Sequence, residues 1–139
     1  MKDVYNLQRF VEAQASSFES ARAELRQGRK TGHWMWFIFP QLKGLGFSSM
    51  SQYYGIASLA EAKSYLDHPL LGPRLIECSQ LVTQVKGRSL LEIFGTPDEM
   101  KFKSSMTLFA HAAPGNSIFL DALNKFCSGK FDSATLALL

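Results

Sequence analysis

The chain has 139 residues, of which 46% are apolar and 19% are charged, and its formal net charge is +3 at pH 7. This length and composition predict one domain over residues 1–139 and exclude an intrinsically disordered chain. The longest uninterrupted apolar run, residues 34–39, is far shorter than the ~18 residues that span a bilayer, and the small charge surplus argues against a nucleic-acid-binding protein.

The first predicted element is a helix over residues 7–27, because apolar side chains recur there at helical spacing and share one face. Ser16 and Glu19 form a capping-box pattern within it, so the segment is either one helix or two that meet at this point. We expect the helix to end at Gly28, because glycine tolerates the left-handed backbone that closes many helices.

The apolar run at residues 34–39 fits a buried strand and a buried helix equally well by its pattern. No other segment offers a convincing partner strand, and an isolated strand cannot satisfy its backbone hydrogen bonds. We therefore predict a short buried helix that begins near Thr31 and ends before Pro40.

The rest of the chain carries a series of helix start and stop signals. Ser58 and Ser89 each precede a glutamate by three residues, which is a capping box, and the Thr-Pro-Asp-Glu sequence at residues 96–99 is a strong helix start. We predict further helices or helical turns over residues 48–54, 58–67, 69–86, 89–94, 96–113, 116–129 and 132–139. The predicted fold class is all-α: a single compact domain of about eight unequal helices in irregular, orthogonal packing.

Metal and cofactor chemistry is not predicted. The three histidines, His33, His68 and His111, lie far apart, and none is spaced at i+3 or i+4 from another histidine or a cysteine. The sequence contains no G-x-S-x-G, P-loop, H-E-x-x-H or extended glycine-rich dinucleotide motif. We therefore expect no metal and no cofactor, and the sequence leaves open whether the chain is an enzyme.

The cysteines and the first residues bear on location. Cys78 and Cys127 are far apart and have no C-x-x-C spacing, which is typical of reduced core residues; the alternative is a disulfide between them. Residues 1–10 contain acid and amide side chains where a signal peptide would need an apolar stretch. We expect a cytoplasmic protein with no membrane segment.

A window without acids surrounds the apolar run. Residues 25–60 contain no aspartate or glutamate but four basic residues, Arg26, Arg29, Lys30 and Lys43. Either this window is buried and excludes acids, or its surface accepts an anion. The turn with Gly44, Gly46 and Ser48 fits the second interpretation, because glycines allow close approach and free amides before a helix bind anions. The alternative is a tight turn followed by an ordinary serine cap.

One histidine and the two tryptophans complete the candidate site. The positive end of a helix favours a neutral imidazole, so His33 could act as a base or hydrogen-bond donor; the alternative is a bond to a neighbouring carbonyl. Trp34 and Trp36 point to different sides of a helix, so one should fill the core and the other line a pocket. The candidate ligand-binding residues are Lys30, His33, Trp34, Trp36, Gln41, Gly44, Gly46 and Ser48.

Residues 6–11, 28–30, 33–42 (HWMWFIFPQL) and 44–46, with matching stretches from residue 54 to residue 109, resemble a bacterial family of domains of unknown function. Genome records sometimes label this family "calpastatin", although calpastatin is a long disordered inhibitor and this composition is that of a compact domain. The resemblance implies a small, mainly helical domain and brings no established activity. One departure is Gly32, where the family tends to carry a serine.

We therefore predict a domain that binds, and in one version processes, a small phosphorylated or nucleotide-derived ligand beside the HWMWFIFPQLKGLG segment. Lys30 and the backbone amides would hold phosphate, an indole would stack on a ring, and His33 or Gln41 would orient the reacting group. The alternative is a protein-interaction module with no small-molecule site, in which the aromatic segment is entirely core. Binding to single-stranded nucleic acid is disfavoured, because it requires exposed aromatics and a larger positive charge.

Overall fold

Ten α-helices make up most of the chain in the computed structural model, which describes residues 3–139. Between residues 3 and 139 there is no β-strand, and an isolated parallel bridge joins Leu42 to Ile56. The all-α prediction is confirmed. The helices are α1 (Gln8–Ala15), α2 (Phe18–Gln27), α3 (Met35–Ile38), α4 (Ser49–Tyr54), α5 (Leu59–Asp67), α6 (Leu71–Thr83), α7 (Leu90–Phe94), α8 (Asp98–Ala112), α9 (Ile118–Cys127) and α10 (Ser133–Leu138).

The segment at residues 7–27 forms two helices, and the described residues contain ten helices where about eight were predicted. The chain turns at Ser16 and Ser17, where the amide of Ser17 donates to the carbonyl of Gln14 at 3.2 Å. Serine is a weak helix former, so this pair is a suitable place for the break. As predicted, α2 ends at Gly28, which has a φ of +78°.

The apolar run forms the centre of the core. All side chains in residues 34–39 are buried except that of Trp36, which is half-buried. The Phe39 ring packs edge-on against Phe94 and Phe102, with centroid separations of 5.9 and 5.0 Å. The prediction of a short buried helix is confirmed by α3.

The N-cap side chain fixes the start of four of the ten described helices. Four predicted caps accept the expected backbone amide: Ser48 from Ser51, Ser58 from Glu61, Ser89 from Glu92 and Asp132 from Thr135. The start of α8 differs from the prediction, because Pro97 takes the N-cap position and no side chain caps this helix. At α6 the imidazole Nδ1 of His68 is the acceptor, for the amides of Leu70 and Leu71 at 3.1 and 3.2 Å.

Helix α8 is the element around which the candidate site is built. It packs against α5, α7, α9 and α10. The buried apolar side chains of the described residues join into one cluster, and the assignment of residues 1–139 to a single domain stays a prediction. Within residues 3–139, no helix has the length and apolar character needed to cross a membrane.

Candidate functional site

The backbone amides before α3 already hold an anion, the carboxylate of Glu24 on α2. Glu24 Oε1 accepts from the amides of Thr31 and Gly32 at 2.6 and 2.8 Å, and from the indole Nε1 of Trp34 at 3.0 Å. These amides face α2, so the helix begins at Met35 and not near Thr31. In this loop the protein therefore supplies its own anion, whereas the anion site was predicted at the turn with Gly44, Gly46 and Ser48.

The hydrogen bonds to Glu24 also set its charge state. Burial alone would raise the pKa of this carboxyl, but the donors on Gly32, Thr31 and Trp34 outweigh it and hold the pKa below its usual value. Because the folded pKa is depressed, the carboxylate adds stability above its unfolded pKa, and that stability is lost as the pH falls through the folded pKa.

We expect the Glu24→Gln variant to be less stable than the wild type by about 1–2 kcal/mol at neutral pH, because a neutral acceptor makes weaker hydrogen bonds. Its free energy of unfolding should also fall less steeply between about pH 5 and pH 3. Urea denaturation over this pH range measures both effects. The exposed Glu12→Gln variant is the control, and an acid dependence in Glu24→Gln equal to that of the wild type would contradict the assignment.

Two lysines share one aspartate between the α3 segment and α8. Lys30 Nζ lies 2.8 Å from Asp98 Oδ2, and Lys101 Nζ lies 3.4 Å from Asp98 Oδ1. Each lysine also sits over one indole, Lys30 over Trp34 at 5.2 Å and Lys101 over Trp36 at 5.1 Å. Two cations and one carboxylate leave a surplus positive charge, and the longer contact makes Lys101 the less tightly held of the two lysines.

The described residues form several cavities. Two of them have volumes of about 410 and 420 Å³, and a third, of about 310 Å³, lies beside Lys101. This volume is at the small end of the range for ligand pockets. We call it the α8 cavity. It is lined by Gln41, Leu45 and Gly46 from the loop after α3, by Pro97, Met100, Lys101 and Ser104 from the α8 region, and by Asp132 and Ala134.

A second space, of about 10 Å³, is lined in part by Gln41 and has room for about one water molecule. Trp36 and Tyr54 also line it. The indole Nε1 of Trp36 is buried and has no hydrogen-bond partner within the described residues, so a polar molecule in this space would meet an open donor. Gln41 lines both spaces.

Comparison with known proteins places the chain in a family. Residues 4–139 match a family model described as "Protein of unknown function (DUF1810)". The chain belongs to the DUF1810 family. It is similar to the conserved hypothetical protein Rv1873 from Mycobacterium tuberculosis, whose crystal structure at 1.38 Å has 58% sequence identity and a TM-score of 0.97, covering 99% of this chain and 98% of that chain. No curated protein matches the chain.

The DUF1810 fold brings some of the predicted site residues to the α8 cavity. Gln41 and Gly46 line it directly. Trp36 lies under the Lys101 ammonium group, so it supports a lining residue from behind. Lys30 joins the same group of charges through Asp98.

The other predicted residues have different surroundings. Trp34 is buried and bound to Glu24, and His33 is exposed on the loop before α3. Gly44 has a φ of +105°, a backbone conformation that favours glycine in a tight turn. The Ser48 hydroxyl accepts from the Ser51 amide as the cap of α4.

The cavity also contains residues that sequence reasoning missed: Lys101, Ser104 and Asp132. Asp98 and Lys101 had the spacing of an ordinary helix-surface pair. The available signal was that Asp98, Lys101 and Ser104 recur at three-residue intervals, which places polar side chains along one side of a helix that is otherwise mostly buried. Asp132 is distant in sequence, and only its role as the α10 cap was predictable.

A larger cavity of about 410 Å³ in the DUF1810 fold borders a buried ion pair, Arg9 with Glu61. Here the guanidinium group donates to Tyr53, Tyr5, Asn6 and Gly55 carbonyls and to the Glu61 carboxylate. A guanidinium has five N–H donors, so these bonds use all of them. Arg9 therefore has no donor left for a ligand, and we consider this pair structural.

Proposed function

We propose that this DUF1810 chain binds a small phosphorylated or nucleotide-derived ligand in the α8 cavity. The supporting observation is Lys101, a cavity-lining cation whose contact with Asp98 Oδ1 is long, at 3.4 Å, while Lys30 lies 2.8 Å from the other carboxylate oxygen. A phosphate group carries a charge of about −1.5 to −2 near neutral pH, more than a single carboxylate. It would therefore attract Lys101 while Lys30 keeps Asp98 compensated.

The remaining lining supports a ligand with a ring as well as a charge. Leu45, Pro97 and Met100 offer an apolar wall to a base or sugar. The Gln41 amide can donate to and accept from the polar edge of such a ring. In this proposal Trp36 orients the Lys101 side chain, and it does not stack on the ligand.

The proposed activity is binding. The lining residues of the α8 cavity include a serine, Ser104, but no histidine or cysteine. The Ser104 hydroxyl lies 3.1 Å from both the Met100 carbonyl and Asp132 Oδ2. These acceptors orient the hydroxyl, and we assign no reaction to it.

We propose the cytoplasm as the compartment because of the state of the two cysteines. Both Cys78 and Cys127 are free. Burial raises the pKa of the Cys78 thiol to about 12, which keeps it protonated and unreactive. Unpaired, inert thiols are typical of proteins in reducing compartments.

We expect the Lys101→Ala variant to bind phosphorylated ligands about 10–100-fold more weakly than the wild type, because it loses a charge-assisted contact. A thermal-shift screen with nucleotides, ADP-ribose and sugar phosphates first identifies a ligand, which at 100 times its dissociation constant stabilises the fold by ~2.7 kcal/mol. In a Trp34→Phe background, the fluorescence of Trp36 reports directly on its contact with Lys101.

Lys103→Ala is the matched control, because Lys103 lies on the same helix outside the α8 cavity. It should bind as the wild type does. If no phosphorylated compound stabilises the wild-type chain, the ligand proposal is wrong and a protein-interaction module becomes the better hypothesis.

A further inference from the structure

The carboxylate of Asp132 gives the α8 cavity a second, opposite charge. Its Oδ2 atom accepts from the Thr135 amide at 3.0 Å, from the Thr135 hydroxyl at 2.6 Å and from the Ser104 hydroxyl at 3.1 Å. Within residues 3–139, none of these hydrogen bonds reaches Oδ1, and Oδ1 is not among the buried polar atoms that lack a partner. The Oδ1 atom is therefore open to solvent or to a ligand.

An open carboxylate oxygen selects for hydrogen-bond donors and against additional anions. A ligand hydroxyl can donate to Asp132 Oδ1, as ribose hydroxyls do to acidic residues in nucleotide-binding proteins. A second phosphate group in the same place would be repelled. The cavity thus offers the Lys101 ammonium to one anionic group and the Asp132 carboxylate to hydrogen-bond donors.

The Gln41 amide favours hydroxyl groups over an ammonium group as these donors. Asp132 offsets the one positive charge by which the two lysines exceed Asp98, so the net charge does not choose between the two kinds of donor. A hydroxyl can also accept from the Gln41 amide while it donates to the carboxylate, and an ammonium cannot. The ammonium of an amino acid would therefore leave the Gln41 amide without the acceptor that a sugar hydroxyl provides.

We infer that the ligand of the α8 cavity is a monophosphorylated, hydroxyl-bearing compound, a sugar phosphate or nucleoside monophosphate, with its phosphate at Lys101 and its hydroxyls at Asp132. This inference rests on the proposed function. The cavity volume of about 310 Å³ agrees with a ligand of this size, because it is at the small end of the range for ligand pockets.

The Asp132→Asn variant tests the inference, because asparagine caps a helix as well as aspartate and α10 should keep its start. The probes are ribose 5-phosphate, adenosine 5′-monophosphate, inorganic phosphate and glycine, titrated calorimetrically into the full chain. We expect the wild type to bind ribose 5-phosphate at least about tenfold more tightly than inorganic phosphate. Asp132→Asn should weaken ribose 5-phosphate by about tenfold but leave inorganic phosphate unchanged or tighter, since a repulsive charge is removed.

The exposed Asp121→Asn variant on α9 is the control for a general change in charge and should affect no probe. The inference is overturned if Asp132→Asn leaves ribose 5-phosphate binding unchanged, if it tightens both phosphate probes equally, or if glycine binds more tightly than ribose 5-phosphate. These outcomes count against the inference alone when the wild type binds a phosphate probe and the Lys101→Ala variant binds it more weakly. Failure of the proposed function is distinct, because no phosphate-bearing probe would then bind the wild type. Tighter binding of adenosine 5′-monophosphate than of ribose 5-phosphate would indicate that the ligand carries a base, which would lie against the apolar wall of the cavity.

Discussion

Replacing Arg9 with methionine should lower the free energy of unfolding by about 3–5 kcal/mol, which is the usual cost of removing one partner from a buried ion pair. The Arg9 and Glu61 side chains are only 7% and 3% exposed, and Arg9 Nη2 lies 2.9 Å from Glu61 Oε2. The variant would leave the Glu61 carboxylate buried without its cation. It would also remove the donor to the backbone carbonyls of Tyr5, Tyr53 and Gly55, whereas the Asn6 carbonyl still accepts from the backbone amide of residue 9.

The Arg9 contacts join parts of the chain that are far apart in sequence. Its guanidinium binds the carbonyls of Tyr53 and Gly55, at the end of α4, and the Glu61 side chain on α5. The other Glu61 oxygen, Oε1, accepts from the amide of Ala57 at 3.0 Å. One ion pair therefore holds α1, the end of α4 and the start of α5 together.

Urea denaturation of three variants separates the ion pair from a general effect of losing an arginine. Arg26→Met is the control, since Arg26 is 58% exposed and lies 4.0 Å from Glu77, and such surface pairs contribute about 0–1 kcal/mol. The double variant Arg9→Met/Glu61→Leu should recover part of the lost stability, because it removes both buried charges. A loss below about 1 kcal/mol in Arg9→Met alone would show that the pair is not a main contributor.

Local sequence signals predicted the helices well because helix starts and stops depend on neighbouring residues. The capping box of Ser89 and Glu92 is an example, since its two hydrogen bonds span three residues and appear in the structure with both partners. Gly28 is another, because its left-handed backbone was expected from its place after the last apolar residue of α2. The number and bounds of the helices were less predictable where tertiary contacts compete, as at Thr31, whose amide binds Glu24.

The candidate site was less predictable because its contacts span long distances in the chain. The loop before α3 has backbone amides and a lysine, which are the parts of an anion site. The sequence pattern does not reveal that the Glu24 carboxylate already accepts from these amides. The α8 cavity combines Gln41 with Lys101 and Asp132, which no periodicity connects. Sequence reasoning thus pointed to a segment and a kind of ligand, both of which stay predictions, while the structure shows which charges are already paired.

Replacing Gly72 with alanine should destabilise the fold by about 2–3 kcal/mol, although alanine is the better helix former by up to about 1 kcal/mol. A Cβ atom at Gly72 would lie 2.0 Å from the carbonyl oxygen of Leu66 and 2.9 Å from its carbonyl carbon. Both atoms belong to the backbone of α5, so no side-chain rotation can relieve the contact. The chain between α5 and α6 would have to move.

Gly115→Ala is the matched control, because no atom lies within 4 Å of a Cβ built at Gly115. This variant should change the free energy of unfolding by less than about 0.5 kcal/mol. If helix propensity decided the outcome, Gly72→Ala would be more stable than Gly115→Ala. Urea denaturation shows whether the free energy of unfolding rises or falls at Gly72. A loss of stability at Gly72 alone would mean that the close approach of α5 and α6 requires this glycine, because the same substitution is harmless where the space is open.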